Sequence, residues 1–274
     1  MKKLLAVLLS ACLLGGTAFA MTACGESDTL RVATNAYFPP FEYYEGRSFT
    51  GIDMEIASLL AEDMDKTLEI EDMEFDSVIA AVSSGNCDIG MAGLTVTETR
   101  LESVDFTDEY YESAQVLIYA NGDERFAGLD SVEDIETFLA AQDKDFVVGT
   151  QNGTTGYMYS NGDEGMGYEG YTNLTTRGYT SGALAVEDMK NGNVDAVIID
   201  KQPAIMIAES AGGVTVLEDY ELTSEAYAFC VQKGNTEMLN AANALLDKIM
   251  ENGELDRIIN SFFDGTADFT YTNP

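Results

Sequence analysis

Beyond residue 29 the chain alternates short apolar runs with stretches whose apolar residues recur at helical spacing. Leu30-Arg31-Val32-Ala33-Thr34 reads as a strand. The cluster Tyr37-Phe38-Pro39-Pro40-Phe41 predicts a turn, because paired prolines end regular structure. Asp53 is expected to cap a helix in which Ile56, Leu59, Leu60 and Met64 follow a helical period. Leu68 to Met73 predicts a second strand, Ser77 to Ser84 a second helix ending at Gly85, and Ile89-Gly90-Met91-Ala92 a third strand. Strands separated by helices imply an α/β fold with mostly parallel sheets.

One phrase recurs. Val82-Ser83-Ser84-Gly85-Asn86-Cys87-Asp88 leads into apolar residues, and Met189-Lys190-Asn191-Gly192-Asn193-Val194-Asp195 leads into Ala196-Val197-Ile198-Ile199. Each is a helix end, a Gly-Asn turn and a buried strand opened by aspartate, which predicts two lobes of similar build. Phe146-Val147-Val148-Gly149 supplies the first strand of the second lobe. Met238 to Phe263 predicts two helices broken at Gly253. Ligands of open α/β sheets lie beyond the carboxyl ends of strands, so the polar groups of a cleft are sought there.

The N-terminus has a different pattern. Lys2-Lys3 precede an apolar run from Leu4 to Leu14, and small residues lead to Met21-Thr22-Ala23-Cys24-Gly25. This is the layout of an export signal, residues 1–23, and its apolar run is short for a membrane span. The Thr-Ala-Cys arrangement resembles a lipobox with lipidation at Cys24 and a tether over 24–29, although Met21 stands where leucine is usual. Cleavage near Ala20 or Ala23 to a free secreted protein is the alternative.

Composition narrows the chemistry. With 48 acidic and 14 basic residues, the net charge of −34 opposes nucleic acid and anionic lipid surfaces. The chain contains no histidine, which excludes Ser-His-Asp and Cys-His catalysis and His-ligated zinc. Of four cysteines only Cys87 and Cys230 lie in the body, either as buried free thiols or as a single bridge.

The strand Ile89 to Ala92 runs into Gly93-Leu94-Thr95-Val96-Thr97-Glu98-Thr99-Arg100. Glycine admits a ligand to the backbone, Thr95 offers a hydroxyl, and Arg100 can grip a carboxylate with two hydrogen bonds. The segment resembles the A-G-x-T-x-T-x-x-R signature of amino-acid-binding proteins of ABC importers, solute-binding protein family 3. Val104-Asp105-Phe106-Thr107-Asp108-Glu109-Tyr110-Tyr111 is similar to the family's entry into the hinge. Further likenesses fall at Gly51-Ile52-Asp53-Met54-Glu55, Gly149-Thr150-Gln151-Asn152-Gly153-Thr154-Thr155-Gly156, Asp195-Ala196-Val197-Ile198-Ile199-Asp200 and Glu251-Asn252-Gly253.

The resemblance implies a two-lobed, type II periplasmic-binding-protein-like fold with two hinge strands. Lobe 1 would comprise 30–110 and 227–274, and lobe 2 would comprise 111–226. It implies capture of a free L-amino acid by closure of the lobes, no enzyme activity, no cofactor and no metal. The partners would be an ABC permease with its ATPase subunits, and the protein would be an extracytoplasmic monomer held at the membrane by lipid alone. Arg100 would pair with the ligand's α-carboxylate, completed by Thr95 and the backbone near Ala92, Gly93, Thr154 and Thr155. Asp200 would accept from the α-ammonium, while Phe38 and Phe75 cover the side chain. A zwitterion leaving water needs both charges paired, which agrees with that division of roles. Asn35, where cationic binders usually carry an acid, and Gln151 lean towards a polar uncharged ligand.

Other readings stay open. Arg100 could pair with Glu98 or Glu102 at the surface, Asp200 could cap a helix near Pro203, Thr95 could be an ordinary strand residue, and Phe38 and Phe75 could be core aromatics. A dehydratase on the same fold would need a carboxylic acid such as Glu42 as its general acid. A sensory amino-acid receptor is the third alternative.

Overall fold

The computed structural model describes residues 28–274. The expected signal peptide and Cys24 lie outside the described residues. Among the described residues the strands gather chiefly into two five-stranded sheets. The first runs Thr67–Asp72, Thr29–Thr34, Ile89–Gly90, Cys230–Gln232, Val104–Phe106. Its first three strands are parallel, while Cys230–Gln232 is antiparallel to both neighbours. The second runs Thr175–Tyr179, Val147–Gln151, Ala196–Asp200, Gln115–Ala120, Val214–Val216. It too has three parallel strands, followed by an antiparallel one. The two sheets thus share one topology, as the recurring phrase predicts.

The phrase has a common physical basis in both places. Asp88 Oδ2 accepts from Arg31 N at 2.8 Å, and Asp88 N donates to Arg31 O at 2.8 Å. Asp195 repeats this with Val147, both bonds again at 2.8 Å. Each aspartate therefore satisfies the edge of the first strand just as the third parallel strand begins beside it, where an unpaired buried amide would be costly.

Helices cover both sheets. The helix Ile52–Asp63 buries Ile52, Met54, Ile56 and Leu60 against the first sheet, and the C-terminal pair Thr236–Glu251 and Glu254–Phe263 packs beside it. The break at Gly253 is as expected. Two expectations need correction. Tyr37–Phe38 forms a short strand paired with Glu42–Glu45, so only the two prolines and Phe41 make the turn. Asp53 does not cap its helix: Gly51 holds the N-cap position, and Asp53 points into the core. Its carboxylate finds better partners there, as described below.

Cys87 and Cys230 are both buried and free. They pack in one small cluster with Val78, Val82 and Leu94. The sheets are joined by the antiparallel pair Tyr111–Ser113 and Glu225–Tyr227. These two strands cross between the lobes and place Ser113, Glu225 and Tyr227 at the floor of the cleft.

Candidate functional site

Both sheets direct the carboxyl ends of their parallel strands at one interface. From the first come Asn35, just after Thr29–Thr34, and the segment Ala92 to Arg100 after Ile89–Gly90. From the second come Gln151, which ends Val147–Gln151, and Asp200, which ends Ala196–Asp200. The strand-to-helix turns there follow from sequence: Thr97 and Thr154 each accept from an amide three residues on, starting a helix.

Arg100 is buried, at 7% exposure, and ion-pairs with neither Glu98 nor Glu102. Its Nη1 donates to Thr95 O at 2.6 Å and its Nη2 to Gly153 O at 3.0 Å, so it reaches from one lobe to the other. Its guanidinium carbon lies 5.4 Å from the centre of the Phe75 ring. Burial lowers its pKa from 12.5, while the charges nearby, including those of Glu225 and Asp200, oppose that.

Asp200 makes no capping bond to the helix Lys201–Ala211 that follows it. Instead Tyr227 OH donates to its Oδ1 at 2.6 Å, and Ser113 Oγ lies 3.3 Å from the same oxygen. Burial, followed by the charge of Glu225, pushes Asp200 up from 3.8 to about 7. Thr95 and Thr155 both donate to Glu225 Oε2, at 2.9 and 2.6 Å. Asn35 joins the lobes a second time: its Oδ1 accepts from Gln151 Nε2 at 2.9 Å, and its Nδ2 donates to Met73 O at 2.7 Å.

Other predicted residues serve the frame. The Gly93 amide donates to Asp53 Oδ2 at 3.1 Å, and the Thr154 hydroxyl donates to Gln151 O at 2.8 Å. Ala92 is buried among the cysteine cluster, and Phe38 is buried against Phe41 and Gly93. A cavity of about 690 Å³ opens beside Asn35, lined also by Tyr37, Met73, Glu74, Ser181 and Leu184. It is the mouth of the cleft; the Arg100–Asp200 region beneath is closed by its own hydrogen bonds.

Sequence reasoning missed Glu225 altogether and named Glu42 and Asp53 only in other roles, as a dehydratase acid and a helix cap. Glu42 is fully enclosed, and neither carboxyl oxygen has a donor from surrounding groups. Burial first, then the charges of Asp53 and Asp200, raise its pKa well above 4.5. Asp53 accepts from Tyr110 OH at 2.5 Å as well as from Gly93. Burial pushes it to about 7 despite those bonds. Glu42, Asp53, Asp200 and Glu225 are the buried acids among the described residues, and Arg100 is the buried cation. No local signal marks this imbalance, since its members are scattered along the chain: Tyr227 lies 27 positions from Asp200, and Glu225 lies 130 from Thr95.

Comparison with known proteins places the whole arrangement. The arginine-binding extracellular protein ArtP of Bacillus subtilis is 29% identical over 97% of this chain and 99% of its own length. The amino-acid ABC transporter substrate-binding protein AbpA of Streptococcus pneumoniae, solved with L-arginine, superposes with a TM-score of 0.75 at 28% identity, covering 88% of this chain and 97% of that one. An ancestral arginine-binding protein solved with glutamine gives 0.73 at 30% identity, covering 87% and 99%. The sequence profile of the bacterial extracellular solute-binding proteins, family 3, matches residues 30–265, and this chain belongs to that family.

Proposed function

We propose that the protein is the substrate-binding component of an ABC importer and captures a cationic L-amino acid of the arginine type. The surplus of buried acid around Arg100 carries this reading: four buried acids accompany one buried arginine among the described residues, and burial, joined at Glu42 and Asp200 by the charges of neighbouring acids, pushes three of them up. A zwitterion brings no net charge, whereas a side-chain cation supplies what is missing. Arg100 would hold the α-carboxylate with Thr95, Thr155 and the backbone near Ala92, Gly93 and Thr154, and Asp200 would take the α-ammonium. Phe38 and Phe75 would cover the side chain, with Asn35 and Gln151 at its far end. The arginine-binding names among its relatives support the same choice.

A polar neutral ligand is the second reading, favoured by the Asn35–Gln151 amide pair and by glutamine in the ancestral protein. Glu42 could serve as a general acid, and turnover of a prephenate- or arogenate-like substrate would decide for the enzyme. The lobes would comprise 30–110 with 227–274 and 111–226, and the protein would be an extracytoplasmic monomer lipidated at Cys24, a modification that Cys24→Ala should abolish.

Titration calorimetry of ligand-free protein with L-arginine, L-histidine and L-glutamine tests the reading. L-Arginine should bind best and release protons near pH 7, because its cations favour ionised Asp200. Ligand at a hundredfold excess over Kd should stabilise the fold by about 2.7 kcal/mol. Arg100→Ala or Asp200→Ala should remove both effects. Tighter binding of L-glutamine than of L-arginine would favour the neutral ligand, and no response from any amino acid would refute both.

A further inference from the structure

Glu225 sits on the hinge strand Glu225–Tyr227, where the family resemblance assigns it no part in binding. It is 7% exposed, and its carboxylate takes three hydroxyl protons. Oε2 accepts from Thr95 at 2.9 Å and from Thr155 at 2.6 Å, and Oε1 accepts from Thr223 at 2.7 Å. Thr95 belongs to the first lobe and Thr155 to the second, so a single carboxylate ties the lobes together from the hinge.

A threonine hydroxyl has one proton to donate. Given to Glu225, it is unavailable to a ligand. The terminal nitrogens of Arg100 each give one of their two protons to a carbonyl, of Thr95 and of Gly153, and keep the other. On the opposite side Tyr227 OH supplies Asp200 with the donor that an ammonium would bring. The threonine hydroxyls and Asp200 thus find their partners within the protein, while Arg100 keeps donors for a ligand carboxylate.

We propose that Glu225 is an internal surrogate for the ligand's α-carboxylate. It occupies the hydroxyls of Thr95 and Thr155 while the site is free and holds the lobes together. An amino acid must displace it to bind. Two carboxylates cannot share those two protons, and their like charges oppose each other beside one guanidinium. Glu225 therefore sets affinity by competition, and only for ligands that carry the carboxylate. This rests on the amino-acid-binding reading above.

The test compares wild type, Glu225→Gln and Glu225→Ala with two probes, L-arginine and L-argininamide, which lacks the α-carboxylate. Freeing hydroxyls from a charged acceptor should lower Kd for L-arginine by about tenfold or more. Affinity for L-argininamide should stay within about twofold of wild type, which a general structural role for Glu225 would not allow. Without ligand, small-angle scattering should give Glu225→Ala a larger radius of gyration than wild type. Weaker L-arginine binding in the variants, or equal change with both probes, would overturn the proposal. Wild type that binds neither probe would count against the ligand reading instead, and the ligand-free scattering would still judge the latch: an unchanged radius would sink it. Should neither variant fold, crystal structures of the wild type with and without L-arginine decide. Glu225 should leave both threonines when ligand is seated, and its retention on both would refute the surrogate.

Discussion

Asp53→Asn tests whether protons held in the acid cluster govern stability. Asp53 is fully enclosed, and burial pushes its carboxyl from 3.8 to about 7 although Tyr110 and the Gly93 amide donate to it. Between those values the folded protein keeps a proton that the unfolded chain has released. Stability is therefore complete below the unfolded value and is lost as pH rises through about 7. Each pH unit well inside the window is worth about 1.4 kcal/mol per group and less as the carboxyl nears half ionisation, so Asp53 alone removes about 2 kcal/mol between pH 5 and 7. Asp200, also pushed up to about 7, works in the same direction over the same range. Asparagine keeps the shape: Oδ1 can accept from Gly93, and Nδ2 can donate to the Tyr110 oxygen, but nothing titrates. The decline in stability from pH 5 to 7 should thus be about 2 kcal/mol smaller in the variant than in the wild type. Urea denaturation followed by circular dichroism at pH 5, 6 and 7 measures this. Parallel curves for the two proteins would refute the reasoning, as would wild-type stability that stays level or rises over the interval.

Two glycines make complementary tests of frame and closure. Gly51 has φ +123°, and a Cβ there would lie 2.2 Å from Phe41 O, so Gly51→Ala should cost about 3 kcal/mol or more, read as a lower urea midpoint. Gly153, at φ +74°, would place its Cβ 3.0 Å from Asp76 Cβ across the lobe contact. Gly153→Ala should cost only about 1 kcal/mol of stability. Its affinity for L-arginine should fall by about tenfold, because closure must push Asp76 aside. Calorimetry showing unchanged affinity would mean that this contact is absent from the bound form.

The alternation of strands and helices, the repeated Gly-Asn-x-Asp phrase and the loop from Ala92 to Arg100 were all legible in the chain. Apolar period, turn residues and motif spacing are local properties, written within a few neighbouring positions. They sufficed for the two-lobed α/β fold and for placing Arg100 and Asp200 after strands. The tertiary structure decided how those side chains are used. Asp53 looks like a helix cap in sequence, yet packing brings Tyr110 and Gly93 to it, and a buried carboxylate takes the donors nearest to it. Thr95 and Thr155 look like ligand donors, but the register of the hinge strands sets Glu225 between them. The surplus of buried acid around Arg100 is also a product of folding. Charges remote along the chain share one desolvated volume only after the sheets meet, and only there do burial and like charge together shift a pKa.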